Sequence, residues 1–231
     1  MLNVLLTVLC TVIAYLLGSI SASILISKWM YKGDVRNFGS HNAGATNMAR
    51  VYGLAGGLSV LLGDFLKAVI AMGLPWLLGK LIADFTCADL AYCLAGAGCF
   101  IGHAYPIFFG FKGGKGVTVG AAIALMTDWR IFLIIIAVFV LVFVCSHIVS
   151  ISSISAAAAF AIASVLFFVF KVGGFTLYQM ILAIFAGVGV IFLHRANIGR
   201  LIRGEEKKFT YKKRSEVNAE KTDGKDKKSD E

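Results

Sequence analysis

Three polar stretches of this chain hold residues whose types and spacing can do chemistry. In DVRNFGSHNAGATNMAR (34–50), Ser40, Asn42, Thr46 and Asn47 are neutral hydrogen-bonding groups, and Arg50 adds a planar charged fork suited to phosphate. In GHAYPIFFGFKGGKGVTVG (102–120), Lys112, Gly113, Gly114, Lys115 and Gly116 run directly into an apolar segment. Glycines let backbone N–H groups converge on an anion, and a helix starting there adds the positive end of its dipole. In HRANIGRLIRGEE (194–206), His194 and Asn197 stand three apart, so they share one face of a continuing helix, beside Arg195, Arg200 and Arg203. Cations, glycine amides and neutral donors in this combination are the chemistry of holding phosphate.

Each stretch also has a purely structural reading. Asn and Ser can cap a helix in the first, although that explains only one or two of its donors. Basic residues in the third complement a helix C-terminus and lipid headgroups. Judged alone, the glycine–lysine stretch divides evenly between a positive turn and an anion loop. It is not a Walker A loop, because Gly116 follows Lys115 where Ser or Thr is needed.

Missing residue types narrow the chemistry further. Before the tail the only acids are Asp34, Asp64, Asp84, Asp89 and Asp128, which offer no acidic cluster for magnesium. A metal-dependent phosphotransferase is therefore disfavoured, and neither metal nor cofactor is expected. No His is followed by Asp five residues later, which removes the His-x4-Asp pairing of one large class of glycerolipid acyltransferases. The five cysteines form no CxxC pair and read as small buried hydrophobes. Asp64 and Lys67, one helical turn apart in GDFLKA, read as an intramembrane ion pair.

The elements that position these residues must be membrane helices. Of 231 residues 58% are hydrophobic and 15% charged, with a mean hydropathy of +0.83. A soluble domain of this length cannot hide so much apolar surface. Continuous runs, not alternating ones, exclude a barrel, so the fold class is an all-α integral membrane protein. About seven segments are expected, at 2–27, 54–79, 89–107, 117–127, 131–149, 154–170 and 176–194. The fourth is too short to span about 30 Å of hydrocarbon and predicts a re-entrant or half-inserted element.

The first charge in the chain is Lys28, so residues 2–27 are expected to stay as a first helix with the N-terminus outside. Alternating from there puts Lys28, Lys32, Arg36, Arg50, Lys112 and Lys115 on one side and Lys80, Arg130 and Lys171 on the other. The positive-inside rule makes the first side, and the C-terminus, cytoplasmic. All three polar stretches fall on that side, so cytoplasmic loops are expected to form the site. A carrier for phosphate esters would instead want polar residues through both halves of the membrane, and an internal repeat. The body is set at 1–203, and 204–231 is expected to be a solvated, disordered charged tail. Membrane lipids are the expected surroundings, nucleic acid is not a partner, and the chain is read as a monomer.

GSHNAGATNMAR, GHAYPIFFGFKGGKGV and HRANI, in this order and on one side, resemble the acyl-phosphate-dependent glycerol-3-phosphate acyltransferases. These are small polytopic enzymes that begin bacterial phospholipid synthesis. The likeness runs from about Gly18 to Glu206, with GDFLKA and Ser150-Ile151-Ser152-Ser153 as further family positions. It implies seven helices in a bacterial plasma membrane and a site open to the cytoplasm. It also implies acyl transfer from acyl phosphate to the 1-hydroxyl of glycerol 3-phosphate, giving lysophosphatidic acid and phosphate. Neither coenzyme A, acyl carrier protein nor a metal takes part. By motif, Ser40, Arg50, Lys115 and His194 are the implied catalytic residues. Asn42, Thr46, Asn47, Lys112, Gly113, Gly114, Gly116, Ser150 and Asn197 are the implied substrate-binding ones. Three places depart from the pattern: His41 stands where the family usually has Gly, Ala196 where it has Glu, and His147-Ile148 where an Arg-Tyr pair is common.

Overall fold

Backbone amides in hydrocarbon must find partners within their own segment, so long apolar runs become helices. The computed structural model describes residues 1–209, and its regular elements there are all helical. They are α1 (Leu2–Ser19), α2 (Ala22–Tyr31), α3 (Ala45–Tyr52), α4 (Leu54–Leu81), α5 (Ala88–Ala104), α6 (Val117–Thr127), α7 (Trp129–Ser146), α8 (Val149–Val169), α9 (Leu177–Leu193) and α10 (Arg195–Ile202). Among the described residues, 5 helical stretches are long and apolar enough to cross a membrane, and 6 if α9 and α10 count as one bent span. The fourth expected segment is α6, at 11 residues too short to cross by itself. Of the charged tail expected at 204–231, residues 210–231 lie outside the described residues.

The chain forms two compact units. One is Met1–Ser21 with Asp64–Lys208, and the other is built on Ala22–Gly63. In the first, α1 lies along α5, α5 against α9, α9 against α8 and α8 against α7, while α6 touches α5, α7, α8 and α9. Its core holds Ala14, Ala68, Met72, Cys99, Phe100, Ile123, Ile131 and Ala186. Leu141, Val144, Ile162 and Phe170 stand outward and exposed. Ser152, Ser153, Lys67, His103, His194 and Asn197 are buried. Polar groups inside and bulky apolar ones outside is the arrangement a lipid solvent selects. Gly98 and Gly102 sit against the α1 backbone at Thr11 and Tyr15, so this small-residue pair serves helix packing.

The first apolar segment is broken where one continuous helix was expected. Ile20 adopts an extended conformation (φ −70°, ψ 106°) after α1, and its carbonyl leaves the helical ladder. Lys67 Nζ donates to that carbonyl at 2.8 Å, which satisfies it away from water.

The smaller unit folds around Val35, Met48, Tyr52 and Val60, with the Tyr31 and Tyr52 rings stacked at 4.4 Å. Asp34 caps a 3-10 turn at Val35–Asn37 by accepting from Arg36 N at 3.0 Å. The Arg36 guanidinium hydrogen-bonded to Asp34 holds that carboxyl below the usual carboxylate range.

Candidate active site

The sequence-derived residues divide between the two units. Ser40, Asn42, Thr46, Asn47 and Arg50 belong to the smaller one, and the glycine loop, Ser150, His194 and Asn197 to the larger.

In the smaller unit Asn47 organises the polar loop. It sits in the first turn of α3, buried, and its Oδ1 accepts from Ser40 N at 2.9 Å. Its Nδ2 donates toward Val35 O, Phe38 O and Asn42 O at 3.1, 3.0 and 3.1 Å. The amide thus stands in for the turn bonds an irregular loop cannot make itself. Ser40 is left exposed, with Asn42 and Thr46 half-buried. Arg50, half-buried, lies in the last turn of α3, three residues after Asn47.

In the larger unit the glycine loop hangs from the end of α5. Gly113 N donates to Ala104 O at 3.2 Å and Gly114 N to His103 O at 3.1 Å. A side chain on Gly113 would run into the His103 carbonyl. These two amides are therefore committed to the loop, whereas the sequence suggested them as ligand donors. Lys115 stands just before the first turn of α6, whose amides have no intrahelical acceptor. Gly116 caps that helix in the left-handed region (φ +77°), with the Phe100 ring where a side chain would go. Both facts require glycine.

The third stretch is shaped by a 55° bend between α9 and α10. His194, buried at the bend, places its Nδ1 2.8 Å from Val190 O. A carbonyl can only accept, so Nδ1 carries the proton and Nε2 the lone pair.

Asn197 joins the parts. Lys115 Nζ donates to Asn197 Oδ1 at 2.6 Å, and Asn197 Nδ2 donates to Glu206 Oε1 at 2.6 Å. The same oxygen accepts from Ser150 Oγ at 2.8 Å, and Arg200 Nε donates to Glu206 Oε2 at 2.6 Å. Burial would raise the Glu206 carboxyl, but the hydrogen bonds from Arg200, Asn197 and Ser150 outweigh it and hold the group below its usual range.

Glu206 escaped the sequence reading, which grouped it with the charged tail. The signal was Gly204, just past α10, where a left-handed residue (φ +70°) reverses the chain.

These features define an all-helical integral membrane protein whose larger unit carries a hydrogen-bonded network of Lys115, Asn197, Glu206, Ser150 and Arg200. The profile of the glycerol-3-phosphate acyltransferase family matches residues 8–204, and the chain belongs to that family. It is 35% identical over 207 residues to a glycerol-3-phosphate acyltransferase of Finegoldia magna, covering 90% of this chain and 98% of the relative. With the Geobacillus kaustophilus protein of the same name it shares 38% over 205 residues, 89% and 97% of the two chains. A crystal structure of PlsY (YgiH), an integral membrane glycerol 3-phosphate acyltransferase in its glycerol 3-phosphate form, superposes with a TM-score of 0.77. It shares 34% identity over 88% of this chain and 96% of its own. The lysophosphatidic acid form of PlsY gives 0.74 at 33% identity, covering 91% and 97%.

Proposed function

We propose that this protein transfers a fatty acyl group from acyl phosphate to the 1-hydroxyl of glycerol 3-phosphate. The observation that carries this reading, beside the family, is the run from Lys115 through Asn197 and Glu206 to Ser150 next to a glycine loop. Both substrates are phosphate-bearing anions, and here cations meet a helix N-terminus.

In the proposed reaction the 1-hydroxyl oxygen attacks the acyl carbonyl carbon. The new ester C–O bond forms as the anhydride C–O bond breaks, the electron pair leaves with inorganic phosphate, and a phosphate oxygen takes the hydroxyl proton. An acyl phosphate is activated, so positioning and charge stabilisation suffice without a strong protein base. Ser40, Arg50 and Lys115 carry the catalytic load, holding phosphates and developing charge. His194, whose Nδ1–H is committed to Val190 O, is a positioning residue. Asn42, Thr46, Lys112, Gly116 and Ser150 border the substrates; Asn47, Gly113, Gly114 and Asn197 hold the walls. The site faces the cytoplasm of a bacterial plasma membrane, on the side favoured by Lys and Arg, and a single chain suffices.

The test is donor choice. Purified protein with acyl phosphate and labelled glycerol 3-phosphate should form lysophosphatidic acid, and Arg50→Ala should remove most of it. Product from acyl-CoA but none from acyl phosphate would refute the donor.

A further inference from the structure

Below the glycine loop lies a buried cluster of charges that no step of the proposed reaction uses. Asp64, Lys67 and His103 are 3%, 8% and 7% exposed, all within the larger unit. Lys67 Nζ makes three contacts. It donates to Ile20 O at 2.8 Å, lies 3.1 Å from His103 Nδ1, and sits 2.8 Å from Asp64 Oδ1. The Asp64 contact is a charge contact whose angles fall short of a hydrogen bond. An ammonium has three protons and no lone pair, so the imidazole Nδ1 must accept and His103 is the Nε2–H tautomer. His103 Nδ1 is also 3.5 Å from Asp64 Oδ1.

The three partners of Lys67 come from three places: the end of α1, the preceding turn of α4, and the last turn of α5. His103 is also the residue whose carbonyl accepts from Gly114 N, and its neighbour Ala104 accepts from Gly113 N. The side chain held by Lys67 and the carbonyl that anchors the loop thus belong to one residue.

We propose that Lys67, with Asp64, is a positioning residue for the phosphate loop: it fixes His103, and through His103 the register of Gly113 and Gly114 against α5. A buried ion pair is weak support for stability, because apolar residues of similar volume often replace it without loss. A part in holding the loop gives this one a reason to exist. The argument rests on the reading that the loop borders a substrate phosphate.

Hydrogen exchange over residues 105–116 tests the link without needing activity. His103→Leu removes the acceptor, and the pair Asp64→Leu with Lys67→Met removes the charges together, leaving neither buried alone. In both, loop exchange should rise about tenfold while α5 keeps its protection. His103→Asn, whose side-chain oxygen can accept from Lys67, should restore slow exchange. The apparent KM for one of the two phosphate substrates should rise several-fold with kcat little changed. Should His103→Leu fail to fold, the paired apolar replacement decides. Parental loop exchange in either folded variant overturns the proposal. A loosened loop with both KM values unmoved would leave the clamp standing and refute the phosphate role of the loop.

Discussion

Lys115 Nζ and Asn197 Oδ1, 82 residues apart in sequence, are joined by a 2.6 Å hydrogen bond, and the other end of the same amide holds Glu206. One neutral side chain thereby sets the spacing between a cation and a carboxylate. The amide oxygen orients the lysine, and the amide nitrogen orients the carboxylate.

Asn197→Ala should therefore cost more than one hydrogen bond. It removes the Asn197 acceptor from Lys115 and takes the Asn197 donor from Glu206 Oε1, which also accepts from Ser150. Hydrogen bonds to charged groups contribute about 1.5–3 kcal/mol each. Turnover should fall by about 10- to 100-fold on that scale, with the protein still extracted as a folded species. Steady-state kinetics beside a melting curve would check this, and kinetics like the parent's would mean the amide is incidental.

Gly113 and Gly116 answer to different constraints, so their alanine variants should fail for different reasons. Gly113→Ala presses a methyl on the His103 carbonyl and Pro106, pushing the loop off α5. Gly116→Ala must hold a left-handed conformation, at about 1–2 kcal/mol, as well as meet the Phe100 ring. Both should raise the apparent KM for a phosphate substrate by about tenfold. Adding Phe100→Leu should recover part of the Gly116→Ala loss, since it relieves the space but not the backbone, and should do nothing for Gly113→Ala. Equal recovery in both would show that the loop is simply soft.

Glu206 should make stability depend on acid. Its carboxyl, ordinarily at 4.5, is lowered in the folded protein despite burial by Arg200, Asn197 and Ser150. A depressed folded value contributes stability above the ordinary one and loses it as pH falls through the folded value. The thermal midpoint should thus drop as pH falls below about 4.5. Glu206→Gln should melt lower than the parent at pH 7 and show a smaller acid drop. Parallel curves for the two proteins would count against the network.

The membrane helices were legible because apolar runs of that length have few other solutions, and α6 came out at Val117–Thr127 with the bounds read from the sequence. Three features were not. The break at Ile20 depends on a lysine 47 residues away that takes the freed carbonyl, and hydropathy carries no trace of it. The commitment of the Gly113 and Gly114 amides depends on where α5 ends relative to the loop. Composition placed Glu206 with the solvated charges, whereas Gly204 returns it to Ser150. Periodicity reports which face is apolar; it does not report which distant polar group completes another.

His41 shows how a departure from the family pattern is tolerated. It is a non-glycine residue in the left-handed region (φ +55°), at the position where the resemblance leads one to expect Gly. Histidine is among the side chains that enter this region more readily, and here its Nδ1 lies 3.0 Å from Arg36 O, a local bond that offsets part of the strain. The adjacent Ser40 N is the donor held by Asn47, so strain at His41 bears directly on that hydrogen bond. His41→Gly removes the steric cost but loses the bond and loosens the unfolded chain, so stability should stay within about 0.5 kcal/mol of the parent. His41→Val puts a β-branched residue where it is strained and should destabilise by more than about 1 kcal/mol. It should also lower turnover by pulling Ser40 away from Asn47. Chemical denaturation and kinetics on the two variants separate these effects, and a valine variant as stable and active as the glycine one would mean that this turn can change its conformation at no cost to the site.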